Sequence, residues 1–229
     1  MLKTVRSFVR RERHLTKTQY QALELFSQFG LELSNGKVDF VVAFERASPI
    51  VLEIGFGMGQ SLIEMALKYP EQNYIGIEVY RPGISYLLKQ IAQHNLTNIK
   101  IYNADAVEVL RLCIPDNSLD KVLVFFPDPW PKRRHHKRRI IQISFLTLIH
   151  SKLKMNGILH IATDWDDYAQ HILRMLSKIS GFRNVAGSDK FVSRPDYRPL
   201  TRFEKRGLSL GHNVWDLMLE KDSSEVVGK

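Results

Sequence analysis

The sequence predicts an α/β protein with a mostly parallel sheet that is covered by helices on both faces. Short apolar runs typical of buried strands alternate with segments whose apolar residues recur at helical spacing. Acidic residues lie at or near the ends of five predicted strands, which is the edge where ligands bind in such sheets. The chain of 229 residues is long enough for one sizeable core. We therefore expect a single domain, residues 16–229, preceded by a basic arm, residues 1–15.

The amino-terminal half contains the clearest alternation of elements. Residues 16–29 are predicted to form a helix that begins at Thr16 or Thr18 as cap and ends at Gly30. The predicted elements that follow are strand 49–55, helix 59–70, strand 73–79, helix 83–95, strand 98–105 and helix 106–113. Because helices connect these strands, we expect the strands to run parallel.

The carboxy-terminal half continues the pattern. Its predicted elements are strand 119–126, helix 140–154, strand 157–164, helix 165–180, strand 182–185 and strand 213–220. Asn156-Gly157 is predicted to end helix 140–154, and two prolines mark residues 191–207 as a loop. No repeat or low-complexity linker divides the chain, which supports one domain.

The charge balance favours a polyanionic partner. Lys and Arg number 33 against 24 Asp and Glu, a net charge of +9, which points to nucleic acid before membrane. No apolar stretch approaches the roughly 20 residues that cross a bilayer, and the single cysteine fits a reducing cytoplasm. The positive charge is concentrated in one run, where we predict phosphate contacts by Arg133, Arg134, His135, His136, Lys137, Arg138 and Arg139.

A glycine-rich turn followed by an acid predicts a nucleoside-containing cofactor. Gly55, Gly57 and Gly59 follow Glu53 between a predicted strand and a predicted helix. A turn of this composition lets the backbone approach a ligand closely. Glu78, at the end of the next strand, can accept hydrogen bonds from both ribose hydroxyls. A dinucleotide and S-adenosylmethionine both suit this arrangement.

The other acids distinguish between these two cofactors. Asp105 and Asp128 near the glycine turn would repel a pyrophosphate, whereas they suit the positive sulfonium and ammonium of S-adenosylmethionine. The sequence therefore favours S-adenosylmethionine. The alternative interpretation of Glu78 and Asp105 is that they are solvated caps of the helices that follow them.

Four segments together resemble a known family. In chain order they are VLEIGFGMGQSL, YIGIEV, NADAVEVL and FPDPWPKRRHHKRR. They resemble class I S-adenosylmethionine-dependent methyltransferases and, more narrowly, the bacterial tRNA (guanine-N(7)-)-methyltransferases. The glycine motif is shared by many methyltransferases, whereas PDPWPK with its basic run and T-x-F-E-x-R-G near the end are more specific. The similarity covers nearly the whole chain.

The resemblance implies a Rossmann-like, seven-stranded sheet with its last strand antiparallel, and methyl transfer to guanosine 46 in the tRNA variable loop in the cytoplasm. It implies that Asp128 is catalytic. It also implies cofactor-binding roles for Glu53, Glu78, Asp105 and Asp128. The implied substrate-binding residues are Lys132, Asp164, Thr201, Arg202, Phe203 and Glu204.

Charge arguments lead to a mechanism. Ring nitrogen 7 of guanine is already a lone-pair acceptor, so no proton leaves it before attack. Positive charge moves onto the purine during transfer, so a nearby carboxylate becomes better placed as the transition state forms. Our hypothesis is that Asp164, Glu204 or Asp128 accepts from the N–H and amino donors of guanine and thereby rejects adenine.

Several alternatives stay open from the sequence. Trp130 either stacks on a base or packs against the prolines around it. His135 and His136 are adjacent and have no cysteine near them, so no metal site is expected. Two rival functions are an exocyclic-amino methyltransferase and a non-enzymatic RNA-binding module on the same fold. The sequence does not choose between a monomer and a homodimer.

Overall fold

The computed structural model describes residues 7, 14–200, 204–205, 209, 211 and 213–222. The strands are β1 (Ile50–Ile54), β2 (Asn73–Ile77), β3 (Ile99–Tyr102), β4 (Leu119–Phe125), β5 (Leu153–Thr163), β6 (Phe182–Asn184) and β7 (Trp215–Lys221). The helices are α1 (Lys17–Glu24), α2 (Phe26–Phe29), α3 (Phe40–Phe44), α4 (Gln60–Lys68), α5 (Arg81–Gln93), α6 (Ala106–Leu112), α7 (Ile143–Lys152) and α8 (Asp166–Leu176). Short 3-10 turns occupy Leu33–Asn35 and Arg133–Arg138.

The strands form one seven-stranded sheet in the order β3-β2-β1-β4-β5-β7-β6 within the described residues. Strands β1 to β5 pair in parallel, and β7 lies antiparallel between β5 and β6. The predicted mostly parallel sheet with an antiparallel last strand is confirmed. The direction of chain progression reverses between β1 and β4, and open sheets bind ligands beside such a reversal, at the carboxyl ends of the strands.

Two apolar layers cover the sheet, one on each face. On β1, Leu52 and Ile54 pack in the layer that contains the buried side chains of α6, α7 and α8. Val51, directly before Leu52, packs in the layer formed with α4 and α5. Because both faces are covered, all five residues of β1 and of β2 are buried. This explains why these strands are nearly continuous apolar runs in the sequence, interrupted only by Glu53 in β1 and by Asn73 at the start of β2.

The boundary between α7 and β5 differs from the prediction. Helix α7 ends at Lys152, and β5 already begins at Leu153, which pairs with Leu119 of β4. Asn156, with a φ of 61°, and Gly157 therefore lie in an irregularity within β5 rather than at a helix end. The pairing of β4 with β5 overrides the local turn preference of Asn-Gly, and a bulge accommodates the extra residues.

The first predicted helix is divided in two. Thr16 caps α1 through a capping box with Gln19, as one of the two predicted caps, but the helix breaks at Leu25 before α2. The domain boundary at residue 16 stays a prediction, because only Ser7, His14 and Leu15 are described before it. In the described part of the chain, no helix combines the length and apolarity that a membrane span requires.

Candidate active site

The glycine turn joins β1 to α4 and keeps the space above it open. Gly55 and Gly57 have φ values of 73° and 59°, which side chains other than glycine rarely adopt. A Cβ atom built on either residue would meet nothing within 4 Å. Gly59 differs, because its Cβ would lie 2.9 Å from Leu87 of α5. The first two glycines therefore leave room for a ligand, and the third permits close packing of the helices.

Glu78, at the end of β2, is bonded to the glycine turn. Its Oε2 accepts a hydrogen bond of 2.8 Å from the Gly57 amide. Its Oε1 accepts from the amides of Val79 at 2.7 Å and Tyr80 at 3.0 Å. The carboxylate thus holds two loops together while it also lines the cleft between them. This structural role and ribose binding are compatible, since each carboxylate oxygen has two lone pairs.

Glu53 is a buried acid under the glycine turn. The Ser61 hydroxyl of α4 donates to Glu53 Oε1 over 2.5 Å, while Oε2 is buried with no hydrogen-bond partner among the described residues. Burial raises the pKa of Glu53 to about 7; the Ser61 bond opposes this shift, and the charge of Glu78 adds to it. A buried acceptor without a donor is costly, so this site favours a ligand that brings positive charge.

Asp105 caps helix α6, as the alternative interpretation of the sequence proposed. Its Oδ1 accepts from the amides of Val107 at 2.9 Å and Glu108 at 3.1 Å. Its Oδ2 has no partner in the described part of the chain. Ala104 and Ala106, the residues on either side of Asp105, line the cleft. The cap therefore orients Asp105 and leaves one oxygen for a ligand.

The cleft itself is an apolar slot with acids at its edge. Asp128 is exposed, lines the cleft and makes no hydrogen bond to the described residues. The described lining consists of Ser7, Ile54, Gly55, Ile77, Glu78, Val79, Ala104, Ala106, Val124, Pro127, Asp128 and Ile140. It includes carboxylates but neither Lys nor Arg. This chemistry suits a ligand with an apolar body and positive charge, and it disfavours a pyrophosphate.

The basic run forms a 3-10 turn beside this cleft. Lys132, Arg133, Arg134 and Lys137 are exposed, whereas His135, His136 and Arg138 are half-buried. Desolvation, followed by the charges of neighbouring cations, lowers the pKa of His135. The exposed cations are accessible to a polyanion. They lie within ten residues of Asp128 in the chain.

Trp130 is covered by this turn. The guanidinium of Arg138 lies 4.9 Å from the centroid of the Trp130 ring, and His135 approaches its edge with centroids 5.9 Å apart. The Trp130 indole N–H donates to the Ser7 carbonyl over 3.2 Å. Trp130 therefore contacts the basic turn and Ser7, and its stacking on a base stays a prediction.

The position of Arg139 differs from the predicted phosphate contact. Its side chain has no exposed surface, unlike the cations that precede it. Arg139 Nε donates to the Pro129 carbonyl over 2.8 Å, and Nη2 donates to Asp167. Burial and these bonds remove Arg139 from the surface that a phosphate reaches.

Similarity to known proteins identifies the family of this chain. A family model described as "Putative methyltransferase" matches residues 47–217. A relative from Alcanivorax borkumensis is 52% identical over 222 residues, which cover 96% of this chain and 93% of the relative. A relative from Ectopseudomonas mendocina is 50% identical over 220 residues, covering 96% and 92%. Both relatives are named tRNA (guanine-N(7)-)-methyltransferase. The chain belongs to this methyltransferase family.

The methyltransferase also shares its fold with more distant solved structures. The crystal structure of the 16S rRNA methyltransferase KamB superimposes with a TM-score of 0.59 at 14% identity, covering 81% of this chain and 94% of KamB. At this identity the likeness concerns the fold alone. It agrees with the mostly parallel sheet predicted from the order of strands and helices, and with the Rossmann-like fold that the family resemblance implied.

Two predicted substrate residues of the methyltransferase occupy different environments. Asp164 follows β5, is half-buried and makes no hydrogen bond to the described residues. Glu204 is buried, and both of its carboxylate oxygens accept from Arg198, at 2.7 and 2.8 Å. Asp164 is therefore the better placed to meet a base, while Glu204 is held by Arg198. Thr201, Arg202 and Phe203 lie outside the described residues.

Sequence reasoning missed two features of the site. Arg198 is buried and also donates to both oxygens of Asp216 in β7, at 2.6 and 2.8 Å. No local sequence pattern links these positions, because Arg198 lies 6 residues before Glu204 and 18 residues before Asp216. Trp165, 41% exposed directly after Asp164, was included only in a helix. Its place beyond the carboxyl end of a strand was the signal that could have marked it.

A metal site has no support within the residues described. No group of three or more His, Cys, Asp or Glu side chains is arranged to hold an ion there. His135 contacts Trp130, and the Nε2 of His136 lies 3.2 Å from Arg139 Nη2. The Nε2 of His136 also lies 3.8 Å from the carboxylate of Asp167.

Proposed function

We propose that this methyltransferase transfers a methyl group from S-adenosylmethionine to N7 of guanosine 46 in the variable loop of tRNA, in the cytoplasm. One observation carries the proposal: a cleft whose described lining includes acids but no lysine or arginine lies beside a turn of exposed cations. The first feature suits a cationic methyl donor, and the second suits a nucleic acid. The relatives' names supply the nucleoside and the atom.

The residues around the glycine turn fit S-adenosylmethionine. The open space at Gly55 and Gly57 admits the ligand against the backbone. Glu78 binds the ribose, the free Asp105 oxygen accepts from the adenine amino group, and the buried Glu53 balances the ligand's positive charge. When bound, S-adenosylmethionine supplies an electrophilic methyl group on a positive sulfonium.

Asp128 acts by charge rather than as a base. Guanine N7 carries a lone pair, so the enzyme removes no proton before attack. Positive charge accumulates on the purine, and the exposed carboxylate of Asp128, which makes no hydrogen bond to the described residues, stabilises it. Alignment of N7 with the methyl group provides the rest of the acceleration. Asp164 accepts from the guanine N–H and amino donors, which adenine does not present in that pattern.

The exposed cations bind the tRNA backbone. Lys132, Arg133, Arg134 and Lys137 form the phosphate-binding surface, and Arg138 stacked on Trp130 supports it. If these residues contact phosphates, tRNA affinity falls steeply as salt increases. We expect Arg134→Ala and Lys137→Ala each to reduce the slope of log affinity against log salt by about 0.7 to 0.9.

The decisive experiment is to incubate the protein with unmodified tRNA and methyl-labelled S-adenosylmethionine, and to map the label by nuclease digestion and mass spectrometry. We expect 7-methylguanosine at position 46. Label on an exocyclic amino group would identify the rival methyltransferase class. Failure to bind S-adenosylmethionine in calorimetry would identify the non-enzymatic rival.

A variant separates chemistry from binding. Asp128→Asn keeps the size of the side chain and removes its charge. We expect its single-turnover rate to fall by about a hundredfold at saturating tRNA and cofactor, in line with the loss of one electrostatic stabiliser. A rate near that of the wild type would show that the proposed role of Asp128 is wrong.

A further inference from the structure

We propose that Arg139, together with Asp167, is a positioning residue that holds the Asp128 loop against helix α8. This inference deepens the proposed function, because it rests on Asp128 and Asp164 acting in one site. It gives Arg139 a role different from that of the cations immediately before it, which lie on the surface and contact phosphates in our proposal.

Burial separates Arg139 from its neighbours in the basic run. Its side chain is fully enclosed, and Arg133, Arg134 and Lys137 are exposed. A buried guanidinium needs partners that replace water. Nε and Nη2 of Arg139 have such partners, whereas Nη1 is buried with no hydrogen-bond partner among the described residues. The Cζ atom of Arg139 lies 4.8 Å from the centroid of the Tyr168 ring in α8. Its Nη2 donates to Asp167 Oδ2 over 2.5 Å and lowers the pKa of that carboxyl.

The second contact of Arg139 is with the loop that carries Asp128. Arg139 Nε donates to the carbonyl of Pro129, the residue directly after Asp128, over 2.8 Å. Residues 127, 129 and 131 are prolines, which have no amide N–H. The loop therefore has few amide donors with which to form hydrogen bonds within itself. A donor from outside the loop, such as Arg139, becomes more important for its carbonyl groups.

The loop conformation needs such support. Trp130 has a φ of 46°, a backbone conformation that costs a bulky residue about 1 to 2 kcal/mol. Surrounding contacts must maintain it. Arg139 provides one from the carbonyl side, and the bond from the Trp130 indole to Ser7 provides another. Loss of the Arg139 bond releases the segment next to the carboxylate.

Arg139 also connects the segments that carry Asp128 and Asp164. Asp167 lies in the first turn of α8, three residues after Asp164 at the end of β5. One guanidinium thus bridges the loop of Asp128 and the helix that begins beside Asp164. A lysine would not replace it, because the planar fork donates in two directions at once while it stacks on Tyr168. The distance between the two carboxylates is therefore set through Arg139.

The test compares matched variants in hydrogen exchange and in single-turnover methylation. Arg139→Lys keeps the charge and removes the fork, and Asp167→Asn removes one end of the bridge. Asp166→Asn is the control, since it removes a neighbouring charge from the same helix turn. We expect the first two to increase deuterium uptake in the peptide covering 126–132 and to lower the saturated rate by about tenfold to a hundredfold. Asp166→Asn changes neither.

Two further readouts distinguish positioning from RNA binding. We expect the double variant Arg139→Lys with Asp167→Asn to be no slower than the slower single variant, because both changes break one bridge. The salt slope of tRNA binding stays at the wild-type value in Arg139→Lys, whereas it falls in Arg134→Ala. A reduced slope with an unchanged saturated rate would overturn the proposal and make Arg139 a phosphate contact.

Separate measurements test the proposed function and the role of Arg139. If the wild-type protein forms no 7-methylguanosine, that function is wrong, and hydrogen exchange alone decides the role of Arg139. Unchanged uptake in both single variants would then overturn the bridge, and increased uptake would support it. Because Asp167 is 52% exposed, its asparagine variant should fold and keeps the test possible if Arg139→Lys does not.

Discussion

The burial of Glu53 predicts that cofactor binding depends on pH. Burial raises the pKa of Glu53 to about 7, so about half of the molecules carry a neutral Glu53 at that pH. A cationic ligand over Gly55 prefers the ionised form, because the free oxygen Oε2 has no other donor among the described residues. S-adenosylmethionine binding should therefore release a proton.

The size of the effect follows from the ionised fraction. With a pKa of about 7, affinity should fall by about fivefold between pH 7 and pH 6 and by about tenfold between pH 6 and pH 5. At pH 7, about half a proton should be released for each ligand bound. The ligand's own amino group stays charged in this range, since α-amino groups titrate near pH 7.7 or above.

Titration calorimetry in two buffers of different ionisation enthalpy measures both quantities. Glu53→Gln preserves the acceptor for Ser61 and removes the titration, so its affinity should be weaker at pH 7.5 and should not vary with pH. Glu64→Gln, an exposed acid on α4, is the matched control and should behave as the wild type. Equal wild-type affinity at pH 6 and pH 7, with no buffer-dependent heat, would refute the reasoning.

The same pKa makes a linked prediction about stability. The folded-state pKa of Glu53 is raised from 4.5 to about 7. Its contribution to the free energy of unfolding is therefore most favourable below pH 4.5 and is lost as the pH rises through 7. Without ligand, Glu53→Gln should therefore be more stable than the wild type at pH 8, by up to about 3 kcal/mol. Urea denaturation at pH 5 and pH 8 measures this difference.

Two further predictions test the glycine turn and the buried ion cluster. Gly55→Ala should weaken S-adenosylmethionine binding by about tenfold or more in calorimetry, because its Cβ enters the open cleft; Gly36→Ala, which imposes a similar positive-φ strain elsewhere, should leave binding unchanged. Arg198→Met should destabilise the fold by about 3 to 5 kcal/mol in urea, since it leaves Glu204 and Asp216 buried without their cation; a loss below 1 kcal/mol would contradict this.

The sequence by itself determined the features that depend on neighbouring residues. Apolar runs separated by helical segments indicated the parallel sheet, because buried strands and amphipathic helices have characteristic periods. The glycines after β1 and the acids at or near the ends of β1 to β5 marked the ligand-binding edge, because topology brings the strand ends together. The family motifs, read in order, then indicated the chemistry.

Only the tertiary structure decided which side chains of the same type lie at the surface and which are buried in ion pairs. Arg138 and Arg139 are adjacent and chemically identical, yet one covers Trp130 at the surface and the other is buried against α8. Glu204 was a plausible base-reading acid until its pairing with Arg198 was visible. Asp167 follows Arg139 by 28 residues and Asp216 follows Arg198 by 18, so burial and ion pairing depend on how the whole chain folds, and no local pattern encodes which residues will meet.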